Sequence, residues 1–447
     1  MRRLSFLRGP MPLIGAGLAL VVLSGLGFVA LVKRSGVDEA GVSALVSLYF
    51  LINTIALGVF SGVEQEMSRS VSQERAVDRA AGPIAHAVAR QAVRLFLLAS
   101  ALVLVLSPVL VNGPFHGHWE LVAELIVGLF ATCCASAVRG ALAGSKRFGM
   151  YAVTLSVEGL ARLIPFVLLS YFGADSVWSF GLAFVLGQLF AALVGVALFW
   201  LAGDRRRVSI PPPATRIEGA GKMRLGVSAG LALLVVASLT NQAVVNLPPV
   251  VIAGKLLASP ELATAIAASI MLTRLPMFAF VPLQTMLLPR LTETAARGDR
   301  VGVRRQTMRT VLACVALGGL GIVLLGTVGP QLLEIYLGKT SELSRATMAG
   351  LGVGTLFLMT ANVTQPALLA LGKHRTVLAA YLSGAATMVV MFVVPVDAVT
   401  SAVLSASGGP VVVAVFMAVA LSRATGETVA PAAQPSPATS GEQPIQR

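Results

Sequence analysis

Glu158 and Arg162 are the only charged residues in the apolar stretch from Leu155 to Pro165. They are four residues apart, so on a helix they lie one turn apart on the same face and can form an ion pair. In an apolar setting such a pair has two interpretations. It can neutralise itself and fix its helix among neighbouring helices. Alternatively, Arg162 can bind an anion while Glu158 tunes the guanidinium or carries a proton.

Arg274 lies in a second apolar stretch and has no acidic residue within a helical turn. A cation in that position must face water, a distant carboxylate such as Glu158, or an anionic ligand. Pro276 cannot donate a hydrogen bond to the carbonyl of Leu272, which loosens a helix at this point. Because a guanidinium matches phosphate oxygens with a planar fork of donors, Arg274 and Arg162 are candidates for binding a diphosphate or an acidic sugar.

Neutral polar side chains within the apolar stretches could bind sugar hydroxyls, and interhelical hydrogen bonds are the alternative for each of them. These candidates are Asn53, Gln188, Asn241, Gln242 and Asn246. A further charged set lies at predicted helix ends, where we expect a solvated salt bridge or a gate latch rather than a cation site. Its members are Glu64, Glu66, Arg69 and Arg290.

The elements that carry these residues follow from composition. The chain has 447 residues, of which 56% are hydrophobic and only 12% are charged, and its mean hydropathy is +0.84. So little charge cannot cover a soluble protein of this size, and apolar stretches of about 20 residues recur along its length, which is typical of a polytopic helical membrane protein. We predict an all-α protein with spans near 12–32, 40–62, 88–111, 120–143, 151–172, 177–201, 226–252, 262–288, 307–328, 346–371, 376–397 and 399–421.

Basic residues indicate how these spans are oriented. Of the 34 lysines and arginines, 27 fall in the termini and alternate connections and 5 in the other connections. By the positive-inside rule, both termini are predicted to be cytoplasmic, in a multi-pass protein of the inner or plasma membrane. Topology therefore accounts for most of the net charge of +14, and we expect no nucleic-acid partner.

No pattern in the sequence indicates catalysis. His116 and His118 are a close pair, but two ligands are too few for a metal site. The phosphate-binding glycine loop that ends in Gly-Lys-Ser or Gly-Lys-Thr is absent from the sequence, so direct coupling to ATP is not expected. We predict a protein that is not an enzyme and that needs neither metal nor cofactor.

The two halves of the chain repeat each other weakly at an offset near 222 residues. Phe60 to Arg69 corresponds to Phe280 to Arg290, and Ala141 to Arg147 corresponds to Ala367 to Arg375. With six spans in each half, the halves share an orientation and are expected to be related by a pseudo-two-fold axis along the membrane normal, with a binding cavity at their seam. The predicted division is an N-terminal lobe (1–202), a cytoplasmic linker (203–225), a C-terminal lobe (226–423) and a disordered cytoplasmic tail (424–447).

At these residues the chain resembles the polysaccharide-flippase branch of the multidrug/oligosaccharidyl-lipid/polysaccharide (MATE-like) superfamily. The resemblance depends on the order of four motifs, which are FSGVEQEMSR (60–69), PLQTMLLPRL (282–291), ARGD (296–299) and GPQLLEIYLG (329–338). It implies two six-helix lobes that alternate between inward-open and outward-open states. It also implies a polyprenyl-diphosphate-linked glycan as cargo, carried from the cytoplasmic to the outer leaflet. Basic residues line the cavity of the peptidoglycan-precursor flippases, and one of them resembles Arg274.

Several alternatives share parts of this pattern. A MATE-type proton- or sodium-coupled drug or cation antiporter has the same architecture, but it should use carboxylates within the membrane, whereas Arg exceeds acid here. A lipid II flippase usually has two more C-terminal helices. A major-facilitator transporter would have a Gly-x-x-x-Asp-Arg-like motif between spans 2 and 3, and a membrane glycosyltransferase would need a large outer loop. An inert scaffold is the last alternative.

Two further kinds of partner are expected. They are anionic membrane lipids, which the 290–309 segment would meet, and other cell-envelope assembly proteins.

Overall fold

The computed structural model describes residues 11–76, 80–201, 229–277, 291, 293–295, 297–338 and 343–426. Within these ranges the regular structure is helical and contains no β-strand. Eleven helical segments of the described chain are long and apolar enough to cross a membrane, so the protein is a multi-pass membrane protein. The helices are α1 (Met11–Lys33), α2 (Glu39–Leu51), α3 (Leu57–Ala76), α4 (Gly82–Asn112), α5 (Glu120–Gly144), α6 (Phe148–Tyr171), α7 (Val177–Leu201), α8 (Ala229–Lys255), α9 (Pro260–Thr273), α10 (Arg300–Leu337), α11 (Arg345–Ala370), α12 (His374–Val393) and α13 (Ala398–Gly426).

The predicted spans agree with these helices, and the differences lie at helix ends. Span 2 is α2 and α3 joined end to end, and the predicted span at 120–143 is α5. Helix α10 extends well beyond 307–328 in both directions, because basic residues hide its start from the hydropathy pattern and Gly329-Pro330 suggests an end that the helix passes through. Helix α13 continues through Pro410 without a break. The predicted linker, most of the predicted tail and the second half of the eighth predicted span lie outside the described residues.

Helices α1–α7 form the N-terminal lobe and α8–α13 the C-terminal lobe. In the N-terminal lobe α1 packs on α6, and α5 packs on both α3 and α7. In the C-terminal lobe α11 lies between α10 and α13, and α12 packs on α13. The lobes meet where α2 and α3 contact α8, and where α2 contacts α9. This seam is where the predicted cavity residues of α8 and α9 come close to the N-terminal lobe.

The second span is interrupted by a π-helical segment, Ile52–Ala56, between α2 and α3. Two side chains there bond to carbonyls one turn earlier: Asn53 Nδ2 donates to Tyr49 O at 2.7 Å and Thr54 Oγ1 donates to Phe50 O at 2.8 Å. Such wide turns are rare and frequently occur at functional sites. The α-helical ladder is therefore interrupted in the middle of the span.

The eighth predicted span is also interrupted, at the end of α9. The Arg274 N–H bonds to Met271 O at 3.2 Å and the Met277 N–H bonds to Arg274 O at 3.0 Å, which is a tighter i,i+3 pattern. Pro276 has no N–H for the Leu272 carbonyl, which explains the change at this position. An offset of 222 residues places Arg274 opposite Ile52, so the two repeat-related spans depart from α-helical geometry at matching positions.

Two glycines bring α1 and α6 into close contact. A Cβ added to Gly159 would lie 2.6 Å from the carbonyl carbon of Leu20, and one added to Gly17 would lie 2.8 Å from the Cβ of Leu155. Helices in membranes associate through small residues that allow such close approach, because lipid supplies no hydrophobic force between them. Helix α6 carries Glu158 and Arg162, so this packing also fixes the depth of the ion pair.

We expect Gly159→Ala to destabilise the purified protein by roughly 1–3 kcal/mol, because the added methyl group collides with the α1 backbone. The thermal midpoint in detergent or nanodiscs measures the effect. Gly149→Ala is the matched control on the same helix, because nothing lies within 4 Å of a Cβ at that position. Equal midpoints for the two variants would contradict the close α1–α6 contact.

Candidate functional site

Glu158 lies between two arginines inside the N-terminal lobe. Its Oε1 is 2.8 Å from Arg162 Nη1, and its Oε2 is 2.5 Å from Arg139 Nη2. All three side chains are buried, and they come from α5 and α6. The i,i+4 ion pair expected from the sequence is therefore present, but it belongs to a buried triad with two cations and one carboxylate.

The guanidinium of Arg162 is bonded on every nitrogen. In addition to Glu158, Nε donates to Phe184 O at 3.0 Å and Nη2 donates to Gln188 Oε1 at 3.1 Å. Gln188 Oε1 also accepts from Thr132 Oγ1 at 3.1 Å. In this conformation Arg162 and Gln188 thus hold α5, α6 and α7 together, which is the structural interpretation of the pair. A ligand would have to replace one of these contacts.

Arg139 was not among the residues predicted for the site. Its position near the cytoplasmic end of the predicted span 120–143 suggests an orienting basic residue, but the structure shows that its side chain is buried within α5. Its Nε donates to Thr154 Oγ1 at 3.2 Å, and Nη2 also contacts Thr154 O at 3.3 Å. Hydropathy gave no signal for this role. Arg139 comes at the end of a long apolar run, which is also where basic residues that orient a span in the membrane occur.

The predicted helix-end residues of α3 separate into two groups. Glu66 and Arg69 form a salt bridge of 2.6 Å with an exposed guanidinium. Glu64 instead faces α6, where its Oε1 accepts from Tyr151 Oη at 2.9 Å. Arg290 lies outside the described residues. Glu66 and Arg69 therefore lie inside α3, which continues to Ala76, rather than at the helix end that was predicted for them, whereas Glu64 lies next to the buried triad.

Arg274 is buried at the seam between the lobes. Its Nη1 donates to Asn246 Oδ1 at 2.8 Å, and Nη2 donates to the carbonyl of Val245, both from α8. No carboxylate of the described chain lies within ion-pair distance of Arg274. Glu158, its predicted distant partner, is paired with Arg139 and Arg162 instead. Arg274 is thus a buried cation that neutral acceptors alone satisfy, and the long-range pair with Glu158 is absent in this conformation.

The remaining predicted residues lie around Arg274 or within their own helix. Asn246 Nδ2 donates to Gln242 Oε1 at 3.1 Å, so Gln242 is linked to Arg274 through Asn246. Asn241 is half-buried on the same helix and makes no side-chain hydrogen bond to the described part of the chain. Asn53 bonds to its own helix. The structure thus groups Arg274, Asn246 and Gln242 at the seam, apart from Glu158, Arg162 and Gln188.

An aromatic bridge, formed by Phe184, Tyr49 and Phe50, connects the two groups. The Cζ of Arg162 is 4.3 Å from the ring centroid of Phe184, and the Cζ of Arg274 is 5.5 Å from that of Phe50. Tyr49 stands between them, with centroid distances of 5.6 Å to Phe184 and 5.2 Å to Phe50. Both cations are therefore placed on ring faces, which attract positive charge. These aromatic residues were not among those predicted for the site.

Polar contacts join the lobes on the predicted outer side. Lys33 Nζ bonds to Glu39 and is 3.7 Å from Glu261 Oε1, which belongs to the other lobe. Arg34 Nη2 donates to Ile335 O at 3.0 Å, and Tyr336 Oη donates to Leu26 O at 2.6 Å. We call these contacts between α1 or the α1–α2 loop and the C-terminal lobe the outer latch; its residues are Leu26, Lys33, Arg34, Glu261, Ile335 and Tyr336.

Comparisons by sequence find relatives of similar length. No family model matches the chain. Uncharacterized protein Rv1510 of Mycobacterium tuberculosis is 26% identical over 433 residues, which cover 93% of this chain and 92% of that protein. Uncharacterized protein Mb3654 of Mycobacterium bovis is 25% identical over 323 residues, which cover 69% of this chain and 68% of that protein.

Comparisons by structure find transporters. The inward-facing conformation of a multidrug resistance MATE family transporter of the MOP superfamily superposes with a TM-score of 0.68 at 11% identity, covering 93% of this chain and 100% of that chain. The outward-facing conformation of such a transporter gives a TM-score of 0.59 at 13% identity, with coverages of 96% and 100%. The MATE multidrug transporter DinF-BH gives 0.65 at 15% identity, with coverages of 94% and 95%. The protein therefore has the two-lobed, all-helical fold of the MATE family transporters.

Proposed function

We propose that the protein is a transporter that carries a polyprenyl-diphosphate-linked saccharide from the cytoplasmic to the outer leaflet by alternating access. The observation that carries this proposal is Arg274, a buried cation at the seam with no carboxylate partner in the described chain. A lone buried charge is costly. An anionic headgroup at the seam would supply the missing negative charge, and its phosphate oxygens match the guanidinium fork.

The surroundings of Arg274 support the same cargo. Gln242 and Asn246 line up along α8 beside it and offer amide groups for sugar hydroxyls. On the other side Phe50 and Tyr49 present aromatic faces. Charged, amide and aromatic groups in one place fit a glycan diphosphate better than an apolar drug.

A groove beside the outer latch supports a lipid-linked cargo. It has a volume of about 400 Å³ and lies between α1, α9 and α10. Its lining includes Leu272, Leu275 and Leu332, with Arg34 as its charged residue. Because Leu275 directly follows Arg274, a headgroup held at the seam could keep its apolar chain in this groove. We infer that the polyprenyl chain stays in the lipid phase while the headgroup crosses.

A MATE-type antiporter for drugs or cations is the second candidate, because the neighbouring structures are multidrug transporters. Its cargo would be attracted by buried carboxylates. Glu158 is occupied by two arginines, which disfavours cation binding there. A lipid II flippase is the third candidate and differs from the proposal only in the glycan.

The test is reconstitution of the full chain in liposomes. Fluorescent versions of a polyprenyl-diphosphate disaccharide and of lipid II are added, and a membrane-impermeant quencher reports their leaflet over time. A parallel assay follows the release of a cationic rhodamine dye. We expect faster transfer of the disaccharide lipid than in empty liposomes. Preference for lipid II would select the third candidate, and movement of the dye without either lipid would overturn the proposal in favour of the antiporter.

A further inference from the structure

Glu124 is a buried carboxylate that the proposed transport path does not use. It lies in the second turn of α5, near the predicted outer side, and its exposed fraction is 0%. Neither Oε1 nor Oε2 has a hydrogen-bond partner in the described residues. Glu158, in contrast, has a guanidinium on each oxygen. The two buried glutamates of this lobe therefore have opposite environments.

The pocket around Glu124 exists because Gly181 on α7 has no side chain. A Cβ added to Gly181 would overlap Glu124 Oε2, so only glycine leaves room for the carboxyl group at this position. The backbone amide of Leu182 is near the carboxyl group but outside normal hydrogen-bond geometry. The carboxyl group is thus enclosed by backbone and apolar side chains between α5 and α7.

No cation of the described chain compensates Glu124. Helix α7 has no ionisable side chain, and the charged residues of α4, such as Arg90 and Arg94, lie toward its opposite end. Glu39 at the start of α2 is paired with Lys33. The charged group that acts on Glu124 is Glu120, four residues earlier on the same helix, and its charge is repulsive. These neighbours therefore disfavour an ionised carboxylate.

Burying an ionised carboxylate without a partner costs far more than burying the neutral acid, so the group takes up a proton instead. A hard cation such as Na⁺ would require several oxygen ligands around it, as Ca²⁺ and Mg²⁺ do. The carboxyl oxygens of Glu124 contact no other polar group in the described chain. The geometry fits a single proton on one carboxyl oxygen.

Two partly exposed residues lie near this pocket on the predicted outer side. His118 Nδ1 lies 2.7 Å from Glu120 Oε1, and both side chains are partly exposed. Glu120 and Glu124 are on successive turns of α5 and share a face. His116 contacts Ser43 Oγ at 3.2 Å instead of Glu120, and burial together with nearby His118 lowers its pKa.

We propose that Glu124 is a proton-binding site of the N-terminal lobe, loaded from the predicted outer side through His118 and Glu120. One proton moves from water to the imidazole or carboxylate of that pair and then to the carboxylate of Glu124. Release away from the predicted outer side requires α5 and α7 to rearrange, because they enclose the carboxyl group in this conformation. If transport follows the proposed function, this release couples cargo movement to a proton gradient.

The first experiment measures protonation without any cargo. Infrared spectra of the full-length protein in nanodiscs are recorded at about pH 7, where an exposed glutamate is ionised. We expect a C=O stretching band of a protonated carboxyl group in the wild type that Glu124→Gln removes. Glutamine has nearly the same shape as the protonated acid, and an unchanged thermal midpoint checks the fold. A wild-type spectrum with no band that depends on Glu124 overturns the proposal, and so does a band that added Na⁺ abolishes.

Glu120→Gln and Gly181→Ala test the route and the pocket. Glu120→Gln should keep the Glu124 band and slow its shift on transfer into heavy water, and an unchanged exchange rate would overturn the route. Gly181→Ala should displace the carboxyl group toward polar surroundings and weaken the band. An unaltered band in Gly181→Ala would contradict the pocket.

The second experiment tests coupling in the liposome assay. An acidic exterior should accelerate cargo transfer by the wild type and leave Glu124→Gln unaffected. If wild-type transfer ignores the gradient, the coupling is wrong while the proton site stands. If no lipid-linked sugar moves under any condition, the proposed function fails and the infrared result still decides the proton site.

Discussion

Arg274→Ala is expected to reduce transfer of a polyprenyl-diphosphate sugar at least about tenfold in reconstituted membranes. Hydrogen bonds to charged groups contribute about 1.5–3 kcal/mol each, and tenfold corresponds to about 1.4 kcal/mol. Arg274→Lys should keep part of the activity, because an ammonium retains the charge but lacks the planar fork. The quencher assay described above measures both variants.

The stability of the Arg274 variants separates a binding role from a structural one. Within the described residues Arg274 bonds only to neutral acceptors on α8, so its removal deletes a buried charge without a described counter-ion along with two hydrogen bonds. We therefore expect Arg274→Ala to unfold at nearly the wild-type midpoint. Arg297→Ala is the control, since that guanidinium is exposed and pairs with Glu293. Normal transfer by Arg274→Ala would remove Arg274 from the mechanism, and a large drop in the midpoint would make its role structural.

Glu158→Gln should destabilise the N-terminal lobe by about 3–5 kcal/mol, because it leaves the buried guanidiniums of Arg139 and Arg162 without their shared carboxylate. The loss is measured as the thermal midpoint and the yield of monodisperse protein. Adding Arg162→Met should restore part of the stability, since it removes one of the two uncompensated cations.

Glu66→Gln is the matched control for this prediction. It deletes a salt bridge with an exposed guanidinium, which is worth about 0–1 kcal/mol. Similar midpoints for Glu66→Gln and Glu158→Gln would mean that the triad does not stabilise the fold. A stable Glu158→Gln protein that has lost transfer would instead assign Glu158 to transport.

Hydropathy predicted most of the helical spans. A span must satisfy its backbone internally and cover about 30 Å of hydrocarbon, so apolar length alone locates it. The predicted span 177–201 is α7, residue for residue. The π-helical segment at Ile52–Ala56 was not predicted, because no proline or glycine marks it and the polar residues Asn53 and Thr54 are equally compatible with an α-helix.

The site was predicted only in part, and the reason is rotation about the helix axis. The pairing of Glu158 with Arg162 follows from spacing within one helix and could be read directly. The roles of Arg139 and Glu124 depend on which side of α5 faces α6 or α7. A uniformly apolar environment around a span gives no periodic signal for that choice. Arg274 was identified because no acidic residue lies within a helical turn of it. That observation needs only the sequence and no knowledge of which helices pack around it.

The outer latch indicates how much energy the proposed transport cycle needs in order to separate the lobes on the predicted outer side. Its three contacts between the lobes are one salt bridge and two hydrogen bonds at the membrane surface. At about 0.5–1.5 kcal/mol each, separating them costs about 1.5–4.5 kcal/mol. One elementary charge crossing a potential of about 100 mV releases about 2.3 kcal/mol. The energy released by a single ion that moves down its gradient is therefore comparable to the energy needed to separate the outer latch. The proposed cycle does not need nucleotide hydrolysis for this step.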